Sequence, residues 1–261
     1  MLSGRDLVNE TARAISFLSR FPVPNRYFAN HDGTLSQTVA AFPLAGLLIT
    51  LPAATLLGLL ALADAPPLVA VLLSLTVQVM VTGALHEDGL TDTADGLGGG
   101  RDRERALAIM KDSRIGTYGA LALILSVGLR AAALAALTPA WPPLATALIW
   151  LAAAAISRAA MVWHWSSLPP AKADGVAASV GHPDPAATRF AIACGLAASI
   201  LLGLFVLPFA PVVATLSLTC LMTAGFTAFV KSKIRGHTGD TIGASQQIAE
   251  IGYLLSLAIF L

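Results

Sequence analysis

The sequence predicts an all-α fold: a polytopic helical membrane bundle of about seven transmembrane helices, preceded by an N-terminal interfacial helix, with the N-terminus cytoplasmic. Three observations carry that expectation. The chain's 261 residues are 56% hydrophobic and only 12% charged, with a mean hydropathy of +0.75. Soluble domains carry roughly 25% charged residues, so the bilayer is the expected solvent. Apolar runs of spanning length recur along the chain, and the basic residues fall unevenly among the segments that connect them.

At the N-terminus, Leu7, Val8, Ile15 and Leu18 can share one helix face, while Asp6, Asn9, Glu10, Arg13 and Arg20 fall mostly on the other. That pattern suits a helix lying on the membrane surface within residues 1–30. Arg5, Asp6, Glu10 and Arg13 interrupt the segment too often for a secretory signal. Phe21-Pro22-Val23-Pro24 ends it, because proline removes a donor and restricts its predecessor. Spans are expected near 37–62, 68–86, 117–138, 144–165, 188–208, 212–230 and 244–261. The turns after the first, third and fifth are proline-rich (Asp64-Ala65-Pro66-Pro67, Thr138–Pro143 and Pro208-Phe209-Ala210-Pro211) and carry no Lys or Arg. Arg101, Arg103, Arg105, Lys111, Arg114, Lys172, Arg189, Lys231, Lys233 and Arg235 border the opposite connections. Lys and Arg favour the cytoplasmic side, which puts the polar chemistry there and the C-terminus outside. The whole chain, 1–261, is expected to be a single membrane domain, with 87–116 as a cytoplasmic acidic and basic loop. Cys194 and Cys220 lie in separate apolar runs and read as small buried hydrophobes, not as a disulfide or metal site.

The chemistry concentrates in His86-Glu87-Asp88-Gly89-Leu90-Thr91-Asp92-Thr93-Ala94-Asp95-Gly96. Asp88, Asp92 and Asp95 fall at i, i+4 and i+7 of a helix and share a face. Glu87 lies about 100° round from Asp88. Ionised carboxylates on one face repel and need a cation, a raised pKa or a water-filled cavity. Oxygen-only donors favour a hard ion, and Mg²⁺ often shares its shell with substrate phosphates. All four carboxylates, Glu87, Asp88, Asp92 and Asp95, are therefore candidate metal ligands and catalytic groups, at the end of an apolar span. His86 fits either a ligand or base, or an ordinary interfacial histidine. Gly98-Gly99-Gly100 and the arginines after it can approach a phosphate. Lys111, Asp112, Ser113 and Arg114 place two cations and a further carboxylate beside the same cavity. A second polar patch holds His237, Asp240 and Thr241, followed by Gln246, Gln247 and Glu250. Arg158 lies within the fourth span, where it either snorkels or meets a phosphate or carboxylate inside the bundle. An Asp240 that merely caps the last span is the structural alternative for that residue.

These segments resemble the cobalamin synthase (adenosylcobinamide-GDP ribazoletransferase) family. The similarity rests on His86–Gly96, Ile109–Gly119, Ser157-Arg158, Gly239–Ala244 and Phe17–Pro24, and runs from near residue 15 to near residue 250. The resemblance implies a Mg²⁺-dependent enzyme of the bacterial cytoplasmic (inner) membrane, with its active site facing the cytoplasm. It implies that adenosylcobinamide-GDP is joined to α-ribazole, or to its 5′-phosphate, with release of GMP. Corrinoid and nucleoside substrates and the lipid bilayer are the implied partners. Other nucleotide-loop assembly enzymes and a homo-oligomer are compatible with it, and no nucleic acid is expected. On that chemistry, Asp88, Asp92 and Asp95 hold the metal and Glu87 or Asp95 accepts the alcohol's proton. Lys111 and Arg114 hold phosphate, while Asp112 and Asp240 bind or orient. Two rival classes remain. Asp92-x-x-Asp95-Gly96 echoes a CDP-alcohol phosphotransferase motif, but its following Ala-Arg and later Asp-x-x-x-Asp are missing. An ion-coupled transporter would also use intramembrane carboxylates, yet the outer half lacks a matching polar set.

Overall fold

The computed structural model describes residues 4–29, 31, 33–172 and 179–259. Within them the chain is helical: α1 (Gly4–Leu18), α2 (Phe42–Leu62), α3 (Pro67–Thr82), α4 (Leu85–Gly99), α5 (Arg103–Ile109), α6 (Thr117–Ala140), α7 (Ala145–Ser167), α8 (Pro185–Val206), α9 (Phe209–Ile234) and α10 (Gly239–Ile259). Among the described residues five helices are long and apolar enough to cross a bilayer: α2 with the short turn before it, α6, α7, α8 and α9. The number is six if the bent pair α3–α4 counts as one span. Leu48, Leu59, Ile124, Leu201, Phe205 and Leu221 face outward from these helices, an apolar belt that suits lipid. Cys220 is exposed on that belt and Cys194 half-buried, so neither is the core residue expected.

Two helices form the hub. α7 buries most of its length, including Trp150, Arg158 and Trp165, and α10 buries Tyr253, Leu254, Gln246 and Glu250. The last helix is therefore polar for an internal reason, and it falls outside the apolar set. α1 is placed differently from its expected amphipathic split. Ala14 and Leu18 are buried, but so is Glu10, which accepts a 2.6 Å hydrogen bond from Thr38 and pairs with Arg13. Val8 and Phe17 are exposed instead.

The acidic stretch does not continue the second apolar run. At 16 residues α3 is about 24 Å long, and it stops at Gly83 and Ala84, both left-handed with φ of 64° and 60°. α4 then leaves at 88° to α3. Gly83 suits this conformation because it lacks a Cβ. One placed there would collide with the Arg20 side chain, whose backbone N–H donates to the Val81 carbonyl at 2.8 Å.

A buried ion cluster ties α4 to the hub. Arg130 of α6 donates to Glu87 of α4 at 2.9 Å and lies 3.7 Å from Glu250 of α10. Arg158 of α7 donates to the other Glu250 oxygen at 3.0 Å. Trp150, Gln246 and Gln247 add donors to these two carboxylates, and Ser126 donates to Gln247. Two cations thus balance two anions, all almost fully buried. Removing one member of such a pair strands its partner's charge, at a cost of about 3–5 kcal/mol. Arg130→Met should therefore destabilise the protein by that order in denaturant titration, and Glu87→Gln on top of it should recover part of the loss. A single variant as stable as the parent would contradict the cluster.

Candidate active site

Its position in the ion cluster settles Glu87's direction: the side chain turns into the bundle, away from the other acids of α4. Asp88 and Asp92 lie on another side of α4, about 100° and about 140° round from Glu87. With Thr91 they face Met110–Ser113 and Ile115 across a cavity of about 370 Å³. This cavity is the candidate site.

Asp95 is also engaged elsewhere. Seven residues beyond Asp88, it lies about 10 Å further along the axis. There it accepts from the backbone N–H of Gly116 at 2.7 Å and of Gly119 at 2.8 Å. It caps α6 from a neighbouring helix, at the end where a negative charge is favoured. Gly119 must be glycine for this approach, because a Cβ there would run into the Asp95 carboxylate. Of the four expected metal-binding carboxylates, the structure thus engages Glu87 in an ion cluster and Asp95 in a helix cap, and leaves Asp88 and Asp92 on the cavity.

Of the expected cations, Arg114 forks onto Asp112, with Nη2–Oδ2 at 2.6 Å and Nε–Oδ1 at 3.0 Å. This hydrogen-bonded guanidinium holds the Asp112 carboxyl down at about 2. The pair is exposed, so solvent makes it weak and exchangeable. Lys111 and Ser113 line the cavity, and among the described residues Lys111 makes no ion pair. Arg103 does not reach the cavity as the expected phosphate contact. Its guanidinium donates to the carbonyls of Ile234 and Ala171, closing the end of α9. Arg158 has the internal carboxylate partner already described, so it is buried away from the cavity and corrected as a substrate contact.

The second patch divides similarly. His237 is buried; its backbone bridges Pro169 and Ala171, and its ring meets Trp165 edge-on at 6.3 Å. Burial, with His182 nearby, holds its imidazole down at about 4. Thr241 is fully buried between His164 and Thr238. Both are corrected from substrate contacts to supports. Thr238, not Asp240, caps α10, accepting from the Thr241 N–H at 3.2 Å. The Asp240 carboxyl is left beside Asp88, on a second cavity of about 240 Å³ that also touches His86. Gly89 and Gly243 let α4 and α10 meet there: a Cβ on Gly89 would come 2.8 Å from the Asp240 carbonyl oxygen.

The carboxylates that remain act on one another. Burial first, then the charges of Asp88, Asp240 and Asp95, push Asp92 up to about 6. Asp240 is also raised, by burial above all. Among the described residues no group of three His, Cys, Asp or Glu is gathered into a ready-made metal cage. Two carboxylates in mutual repulsion beside a lysine fit a Mg²⁺ site of the other kind, with one or two protein ligands and substrate phosphates completing the shell. Arg130, Thr91 and Met110 were not among the residues singled out in the sequence. Arg130 carried a usable signal, a lone cation inside an apolar run.

A helical bundle with an apolar belt and an acidic, lysine-edged cavity suits a multi-pass membrane enzyme with its chemistry at a polar cavity. The family model for cobalamin-5-phosphate synthase matches residues 10–258, and the chain belongs to that family. A Rhizobium meliloti (strain 1021) protein called adenosylcobinamide-GDP ribazoletransferase is 56% identical over 256 residues, 98% of each chain. A Brucella canis protein of the same name is 40% identical over 258 residues, again 98% of each. No solved structure matches. The chain is accordingly a transferase of the final steps of cobalamin synthesis, acting on cobalamin intermediates.

The raised Asp92 carboxyl has a consequence for stability. A carboxyl that binds its proton more tightly when folded costs stability above its folded value, about 6, and recovers it as pH falls toward the ordinary 3.8. Asp92→Asn should therefore raise the Tm of the metal-free protein at pH 7.5, by a margin that shrinks as the pH is lowered through 6. A lower Tm at pH 7.5 would contradict the placement.

Proposed function

We propose that the chain joins adenosylcobinamide-GDP to α-ribazole or α-ribazole 5′-phosphate, with Mg²⁺, at the cytoplasmic face of the bacterial inner membrane. The observation that carries this reading is the cavity in which Asp88 and Asp92 face Lys111. Relatives 56% identical along almost their whole length bear the matching name. The basic residues of the connections on that side support a cytoplasmic cavity and a cytoplasmic N-terminus. The seven-crossing topology counts α3 and α10 as spans besides the five apolar helices, and α1 lies at the interface.

In the reaction, the nucleoside's 3′-hydroxyl oxygen bonds to the phosphorus that carries cobinamide. The bond from that phosphorus to the bridging oxygen breaks, and GMP leaves with that oxygen. Asp88 and Asp92 would hold Mg²⁺, which when bound neutralises phosphate charge and stabilises the leaving oxygen. Lys111 binds the diphosphate, and Ser113 donates to it. Neither Glu87 nor Asp95 is free to take the proton. The proton goes to Asp240, whose carboxyl lines a cavity with Asp88, accepts only from Thr238 Oγ1 at 3.3 Å among the described side chains, and is raised by burial. The outer turns, without acids or bases beyond Asp64, serve only to reverse the chain.

The test uses the purified full chain in lipid nanodiscs with both precursors. GMP and the cobalamin product should appear in equal amounts and only with a divalent ion. Asp240→Asn should lower kcat by about 100-fold or more, with KM values little changed. Absence of GMP from the wild type would contradict the reaction, and near-normal kcat in Asp240→Asn would contradict the base.

A further inference from the structure

A second cavity, of about 240 Å³, shares Asp88 with the first. Its inner walls are Leu18 of α1, Met161 and Trp165 of α7 and Ile242 of α10, each almost fully buried. Phe17 and Leu85 stand partly exposed at its edge. Besides the Asp88 and Asp240 carboxylates, two polar atoms interrupt this apolar surround. His86 and Trp165 are each 1% exposed, and neither His86 Nε2 nor Trp165 Nε1 has a hydrogen-bond partner among the described residues. Buried nitrogens without partners are rare and costly, and they mark a place where something else completes the bond.

We propose that this cavity seats the bicyclic base of the incoming nucleoside, the dimethylated benzimidazole of ribazole. The proposal rests on the reaction given above and adds where one substrate binds. Size is the first argument. The cavity falls below the roughly 300 Å³ at which sites for whole drug-sized ligands begin, so it takes one flat heterocycle and excludes a corrin. Chemistry is the second. Leucine, methionine, isoleucine and tryptophan walls suit a dimethylbenzimidazole, which has an apolar edge and one acceptor nitrogen, and the Asp88 and Asp240 carboxylates suit the hydroxyls of its ribose. Trp165 Nε1–H supplies a donor for that nitrogen, and His86 Nε2 stands by as a second polar contact. Continuity is the third. Asp88 borders both cavities and Asp240 borders this one. A base seated here therefore carries its ribose toward the carboxylates, next to the cavity that holds the Lys111–Ser113 loop.

Gly239 offers a way to fill the cavity without disturbing it. It lines the space, its φ is ordinary, and a Cβ added there meets nothing within 4 Å. In nanodiscs, Gly239→Leu should raise the KM for α-ribazole by roughly tenfold or more and leave that for adenosylcobinamide-GDP unchanged. Free 5,6-dimethylbenzimidazole should compete with α-ribazole in the wild type and lose that effect in Gly239→Leu. A rise in KM for adenosylcobinamide-GDP instead, or for neither substrate, would overturn the assignment. If Gly239→Leu does not insert, the wild-type inhibition pattern decides alone: competition against α-ribazole supports the assignment, and its absence overturns it. These outcomes presuppose wild-type turnover, so a failed base site is distinguishable from a failed reaction.

Discussion

The ion cluster of Glu87, Arg130, Glu250 and Arg158 is the constraint from which the site follows. A helix with four carboxylates has no ordinary reason to pack into an apolar bundle, since burying an unpaired charge costs several kcal/mol or more. α4 packs there because its inward acid meets Arg130 and because Arg130 and Arg158 share Glu250. The cluster draws on α4, α6, α7 and α10, so it fixes the orientation of the acidic helix against three others. Asp95 secures the far end of α4 by capping α6.

This division of labour explains why the remaining acids are reactive. Glu87 and Asp95 are each matched by a guanidinium or by backbone N–H groups. Asp88 and Asp92 are matched by nothing on their own face, and Asp240 joins them from α10. Burial first and their mutual repulsion second raise Asp92, which is tolerable because the frame around them is already neutral. Close backbone approach completes the arrangement: Gly89 against α10 and Gly119 against Asp95 leave no room for side chains. Gly89, Gly96 and Gly98 of α4, poor helix formers by propensity, are accounted for by packing.

Much of the fold was legible because lipid burial is a property of composition, and runs such as 188–208 show it directly. The break between α3 and α4 was not, since Ala84 in a left-handed conformation has no sequence signature and the apolar run leads straight into His86. The location of the site was legible in the density of acids from Glu87 to Asp95. Its membership was not. Asp95 is claimed by amides of Gly116 and Gly119, which any residue type carries, and Thr241 and His237 by contacts from distant helices. Arg130 escapes when basic residues are sorted by loop, although two cations and two anions inside apolar runs call for one another. Asp240 read equally as a cap until Thr238 was seen to occupy that position.

α4 separates its acids by place: Asp88 and Asp92 line the cavity where we propose a metal binds, while Glu87 and Asp95 hold the frame. Manganese binding to the purified chain, followed by electron paramagnetic resonance, tests it most directly. Asp88→Asn and Asp92→Asn should each weaken Mn²⁺ binding strongly in protein that remains folded. Glu87→Gln and Asp95→Asn should bind Mn²⁺ like the parent wherever they fold, but with lowered stability. Mn²⁺ binding lost in a stable Glu87→Gln protein, and retained in Asp92→Asn, would contradict the account.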